Sequence, residues 1–174
     1  MAQYKQAALF KCAPKTKPVR GDGRTEHQHQ ARLITWARDS ARLQTDPALR
    51  DALIWLHSVP NGSYVHRVGS EFKDGKKKAP RQALKLIDEG LTSGVWDLRL
   101  DYVQRTDDGS IVCPGLIIEM KMPTRYLSEK QKEYQAFMIS QGYATAFCRN
   151  WMEAAKAIVD FLRLEKYEVI YQYK

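Results

Sequence analysis

Between Trp96 and Lys121 the chain leaves itself little choice of fold. Trp96, Leu98, Leu100 and Tyr102 alternate with Asp97, Arg99 and Asp101, the period of a strand with one apolar face. Thr106-Asp107-Asp108-Gly109 is a turn signal, and Ile111 to Lys121 reads as the returning strand. Within the return, Leu116, Ile118 and Met120 share one face, while Ile117, Glu119 and Lys121 share the other. Folding the hairpin about Asp108 sets Asp97 opposite Glu119, with Cβ atoms about 5 Å apart. Pro114-Gly115 is where a bulge would shift that register.

Two carboxylates at that range repel unless a cation lies between them. An all-oxygen site with room for water suits Mg²⁺ or Mn²⁺. Lys121, beside such a metal, would position a water nucleophile or offset charge on a phosphorane-like transition state. Its alternative reading is a salt bridge to one carboxylate. Glu26 and Gln30 extend the apolar stripe Leu33, Ile34, Ala37 and Ala41 of a helix that Thr25 and Gln28 open as a capping box. A carboxylate on that side needs a partner, and a water bound to a nearby metal would serve. A first-turn Glu is also favoured by the helix dipole alone. Gln131 has two compatible readings: it closes a capping box with Ser128, and it faces the site from the helix after the hairpin.

Around this hairpin the pattern predicts further elements. Asp46-Pro47 starts a helix with Leu49, Ala52, Leu53 and Leu56 inward, ending in the turn Val59-Pro60-Asn61-Gly62. Tyr64 to Val68 reads as a short strand. Ala83, Leu84 and Ile87 belong to a helix stopped at Gly90, with Leu91 packing behind it. After Ser128 comes a helix with Tyr134, Phe137 and Met138 inward, stopped at Gly142. A strand over Tyr143 to Phe147 follows, then a helix capped by Asn150 and Glu153 with Ala154, Ile158 and Leu162 inward. Alternation of Tyr167, Val169, Tyr171 and Tyr173 predicts a terminal strand, a candidate subunit contact. The sum is an α/β fold, helices flanking a mixed sheet.

At 174 residues the chain suits one domain, with residues 1–22 a basic, poorly ordered arm and 23–174 the folded unit. Lys plus Arg exceed Asp plus Glu by 8, an excess that points to a polyanionic partner. Lys76, Lys77, Lys78, Arg81 and Lys85 form a dense block ahead of the hairpin, suited to sequence-independent phosphate contacts or, more blandly, to a solvated loop. Cys12, Cys113 and Cys148 form no CxxC pair, which argues against disulfides and structural zinc and fits a reducing cytosol. His27, His29, His57 and His66 lack ligand spacing. No apolar run approaches the roughly 20 residues of a membrane span, and the first ten residues carry no secretory pattern, so a cytoplasmic location is expected.

The blocks Thr25-Glu26-His27-Gln28-His29-Gln30, Pro60-Asn61-Gly62, Gly90 through Asp97, Ile118-Glu119-Met120-Lys121-Met122-Pro123, Leu127 through Gln131 and Gly142-Tyr143 resemble, in order and spacing, the virus-type replication-repair nuclease (VRR-NUC) domain. This is a branch of the PD-(D/E)XK nuclease superfamily, and the resemblance runs from Thr25 to about Leu162. It implies a restriction-endonuclease-like core. It also implies a metal held by Asp97, Glu119 and the main-chain carbonyl of Met120, with Glu26 in an outer or bridging position. Trp96 stands where the family usually has proline, and the strand alternation turns it away from the site. Small stand-alone members of this family are typical of bacteriophage genomes, which would place the protein in the host cytoplasm.

The function expected is therefore metal-dependent hydrolysis of DNA phosphodiesters. The resemblance points to branched DNA such as Holliday junctions, cut by a homodimer, since two symmetric cuts need two sites. A sequence-specific restriction-type endonuclease would share the same catalytic residues. A non-catalytic DNA-binding protein on a nuclease fold is the reading of a different class.

Overall fold

In the computed structural model the described residues are 23–59, 72–73, 76–77 and 81–169. The arm, the strand expected over Tyr64 to Val68, the turn at Pro60 to Gly62, Lys78, Tyr171 and Tyr173 lie outside them.

Helix α1 (Glu26–Ala41) begins with both halves of the Thr25–Gln28 capping box in place. Its buried stripe is wider than the sequence reading: His29, Trp36 and Ser40 join Leu33, Ala37 and Ala41. Helix α2 (Pro47–Ile54) follows, capped by the Asp46 side chain. It stops earlier than expected, because the chain must become extended for β1 (His57–Ser58) to pair with Leu98 and Arg99. Short strands β2 (Phe72–Lys73) and β3 (Lys76–Lys77) pair with each other, so two of the clustered lysines lie on a hairpin rather than an open loop. Helix α3 (Arg81–Asp88) ends where expected. Gly90 adopts φ +98°, its N–H donating to Ile87 and that of Leu91 to Leu86, which satisfies the last carbonyls.

The expected hairpin forms in the expected register. Strand β4 (Leu98–Leu100) pairs antiparallel with β7 (Leu116–Met120), Leu98 opposite Ile118 and Leu100 opposite Leu116. The two long strands are each broken, however. Strands β5 (Gln104–Arg105) and β6 (Ile111–Cys113) form a separate ladder with a register shift, split off at Pro114-Gly115. Proline cannot donate to a ladder. A side chain at Gly115 would come within 2.8 Å of the Leu100 carbonyl, so glycine lets the strands stay close where pairing resumes.

Helix α4 (Glu129–Ser140) returns the chain to β8 (Ala144–Cys148), which runs parallel to β7, and α5 (Trp151–Leu162) closes the fold. The sheet order is β1-β4-β7-β8. Leu98, Leu100, Leu116, Ile118 and Met120 pack against α1, α2 and α5, while Ile117 and Met138 pack on the α4 side. Strand β7 is thus covered on both faces and wholly buried. Burying each aliphatic side chain contributes about 1.5–3 kcal/mol, so β7 is the best-held strand of the sheet.

Three expectations need correction. Phe137 is 58% exposed, because Tyr134 and Met138, one turn apart, already fill the narrow contact of α4 with the sheet. Through Val169 there is no terminal strand. Instead, main-chain groups of this segment bond α1 side chains: Trp36 Nε1 donates to the Glu168 carbonyl (3.0 Å) and the Glu168 N–H to Ser40 Oγ (2.9 Å). Trp96 does not share the face of Leu98. Asp97 lies in a bend before β4, the alternation breaks there, and the Trp96 ring packs with Ile117 and Met138.

Candidate metal centre

Asp97 and Glu119 are buried, at 3% and 0% exposure. They sit at the end of the β4–β7 ladder, and each carboxylate takes a main-chain N–H from the other's neighbourhood. The Asp97 N–H donates to Glu119 Oε2 (3.3 Å), and the Met120 N–H to Asp97 Oδ2 (3.1 Å). The Asp97 carbonyl accepts from Val59 (2.8 Å), which ties the bend to the β1 edge.

The other Glu119 oxygen, Oε1, accepts from Gln131 Nε2 and from the Lys121 ammonium. Gln131 satisfies both of its sequence readings at once. Its amide oxygen accepts from the Ser128 N–H (3.0 Å), closing the capping box, while its amide nitrogen holds Glu119. Trp96 supports this arrangement: its indole N–H donates to the Gln131 carbonyl (3.0 Å), so it braces the site rather than facing away from it. Gly94, with φ +96°, brings the preceding loop against α4 so closely that a Cβ would lie 2.8 Å from Lys130 Cβ.

Lys121 lies just beyond β7, its N–H bonded to the Cys148 carbonyl (2.9 Å). Its Nζ is also 4.0 Å from Glu26 Oε1. Burial pushes this amine's pKa down, but the hydrogen bond to Glu119 and the charges of Glu119, Asp97 and Glu26 outweigh that and hold it above its usual value. Lys121 is therefore an ammonium at neutral pH. Beside Glu119 it is a positive charge and a hydrogen-bond donor.

Burial, then the charge of Asp97, pushes Glu119 up from 4.5 to about 7, and Lys121 only partly offsets them. Two buried carboxylates that resist joint ionisation are a donor set that a hard divalent cation fits. Among the described residues no group of three or more His, Cys, Asp or Glu side chains is placed to hold a metal. A cation held here would have at most two carboxylate ligands from these strands, Asp97 and Glu119, and would need main-chain or water oxygens to complete its shell.

The raised Glu119 value carries a pH prediction. Without divalent metal the folded state binds more protons than the unfolded chain between about 4.5 and about 7, so stability falls as pH rises through that window. The loss is at most about 3 kcal/mol. Denaturant titrations in chelator across this range should show the slope in the wild type and its flattening in Glu119→Gln. A slope of equal size in the variant would assign it to other groups.

Of the basic block expected to contact phosphate, Lys76, Lys77, Arg81 and Lys85 are among the described residues. Lys76 and Lys77 contribute main chain to β3, Arg81 begins α3, and Lys85 is exposed with its Nζ 3.7 Å from Glu89. An exposed pair of this kind contributes little stability and leaves Lys85 accessible.

A solved structure of a VRR_NUC domain protein superimposes on this chain with a TM-score of 0.56, covering 84% of this chain and 94% of that one at 20% sequence identity. The chain thus shares the fold of that protein, a restriction-endonuclease-like mixed sheet flanked by helices. No model of a known protein family matches the sequence, and no curated protein does. No helix among the described residues is long and apolar enough to cross a membrane.

One participant at this end of the sheet was not legible in the sequence. Arg149, just past β8, lies with its guanidinium 4.4 Å from the Phe147 ring centroid and 5.4 Å from that of Tyr126. Only the parallel register that sets Met120 beside Cys148 brings it next to Lys121.

Proposed function

We propose that this protein is a Mg²⁺- or Mn²⁺-dependent DNA endonuclease acting on branched DNA as a homodimer in the cytoplasm. The observation that carries the reading is the buried Asp97–Glu119 pair with Lys121 and Gln131 both bonded to Glu119 Oε1.

Asp97, Glu119 and the carbonyl of Met120 would hold the metal. Bound there, it would polarise a phosphate oxygen and acidify water. Gln131 and the Asp97 N–H fix the Glu119 carboxylate, so its orientation need not be found at the moment of reaction. The Lys121 ammonium offsets negative charge building on the transferring phosphoryl oxygens. Glu26, across Lys121, keeps that ammonium charged and aimed. The lysine-rich block ahead of the hairpin supplies phosphate affinity without base reading.

The deciding experiment incubates the protein with Mg²⁺ or Mn²⁺ and a panel of four-way, flap, single-stranded and linear DNAs. Cleavage at branch points that chelator abolishes is the expected result. Cutting of linear duplex at fixed sequences would make it a restriction-type enzyme, and no cleavage of any substrate would overturn the reading. Changing Lys76, Lys77 and Lys78 together to Ala is expected to weaken binding to all DNAs alike, each lost phosphate contact flattening the salt slope by about 0.9. Binding isotherms at several salt concentrations check this. An unchanged slope would remove those lysines from the interface.

A further inference from the structure

We infer that Tyr126 is a stacking platform for an unpaired nucleobase beside the catalytic centre. This rests on the nuclease reading above and names the feature of DNA that the site recognises.

Tyr126 is 78% exposed, although it lies on the loop that joins two site residues, Lys121 and Gln131. The loop is held at several points. Arg149 Nη1 donates to the Met122 carbonyl (3.1 Å) and to that of Arg125. Lys121 is bonded to Cys148 at one end, and the Ser128–Gln131 capping box closes the other. The Arg149 guanidinium also sits against the rings of both Phe147 and Tyr126. A ring with a cation on one side and open solvent beyond is preorganised, and it contributes little buried area to the fold. Every base has a π-face, so such a ring takes any unstacked base without reading sequence. Neighbouring cations fit the attached phosphates: Arg125 and Lys130 are exposed on the same loop and first helical turn, and Lys121 lies at the site. Bases inside a duplex are not available to this ring, whereas those at branch points, flaps and frayed ends are.

The test measures binding in chelator, where no cleavage is needed. Anisotropy titrations would compare a single strand, a splayed-arm duplex and a fully paired duplex of equal length. Tyr126→Ala should weaken binding of the first two by about ten-fold or more and leave the paired duplex near wild type, while Tyr126→Phe and Tyr126→Trp retain the preference. A 2-aminopurine placed in the single-stranded arm should lose fluorescence on binding wild type but not Tyr126→Ala. Equal losses on paired and unpaired DNA, no loss, or quenching that persists in Tyr126→Ala would overturn the inference. The two readings fail separately: a Tyr126-dependent preference without cleavage of any substrate sinks only the nuclease, and cleavage without that preference sinks only the platform. Failure to bind any DNA sinks both.

Discussion

Lys121→Ala is expected to slow DNA cleavage by about 10²–10³-fold while DNA binding stays near wild type, the size of effect seen when one preorganised donor to developing negative charge is removed. The side chain is only 15% exposed and lies between the Glu119 and Glu26 carboxylates. Those charges keep it an ammonium, so its contribution is electrostatic and greatest where negative charge grows. Ground-state affinity for DNA comes from many phosphate contacts, and losing one partly buried cation subtracts little from their sum. Single-turnover cleavage under saturating protein, paired with binding in chelator, separates the two quantities. Circular dichroism of the variant guards against simple unfolding, since Glu119 loses its closest cation. Full activity in a folded Lys121→Ala protein would defeat the proposed mechanism.

A crossed result is expected for Asp97→Asn. In chelator it should melt at or above wild type. Asparagine keeps an oxygen to accept the Met120 N–H, and losing the charge relieves the repulsion that raises Glu119. Added Mn²⁺ should stabilise the wild type by about 2.7 kcal/mol at one hundred times the dissociation constant, roughly 5–10 °C in melting temperature. Asp97→Asn should gain little and should not cut. Glu26→Gln should keep more of the metal response, because the Glu26 carboxylate faces Lys121 at 4.0 Å. Thermal melts of the three proteins with chelator and with Mn²⁺ decide it. An Asp97→Asn protein that gains as much as wild type from Mn²⁺ removes Asp97 from the ligand set.

Much of this molecule follows from local rules. The capping residues Thr25, Asp46, Ser128 and Asn150 each accept the main-chain bond that their position predicts, because those bonds span only two or three residues. The β4–β7 register was readable for a related reason. A turn at Thr106–Gly109 and an alternating apolar face leave few ways to fold the strands together, and those constraints set Asp97 toward Glu119.

Tertiary packing decided the rest. Whether Gln131 capped its helix or served the site depended on where α4 lands on the sheet, and that landing let one side chain do both. Trp96 sits on a face opposite to its alternation because the Asp97 bend breaks the strand period, and no local pattern announces a bend that long-range bonds hold. Tyr167 and Val169 open the alternation that predicts a terminal strand, yet the main chain of Lys166 and Glu168 is bonded by the Trp36, Ser40 and Gln44 side chains, more than a hundred positions away in sequence. Arg149 comes beside the loop that follows Lys121 only through the parallel β7–β8 pairing, whose register is set across an intervening helix rather than by a turn. Sequence alone thus determined helices α1 to α5, the central β4–β7 pairing and the facing carboxylates, through contacts a few residues or one hairpin apart. Which side chains brace those carboxylates was decided by packing between elements that only the complete sheet and its two helical layers bring together.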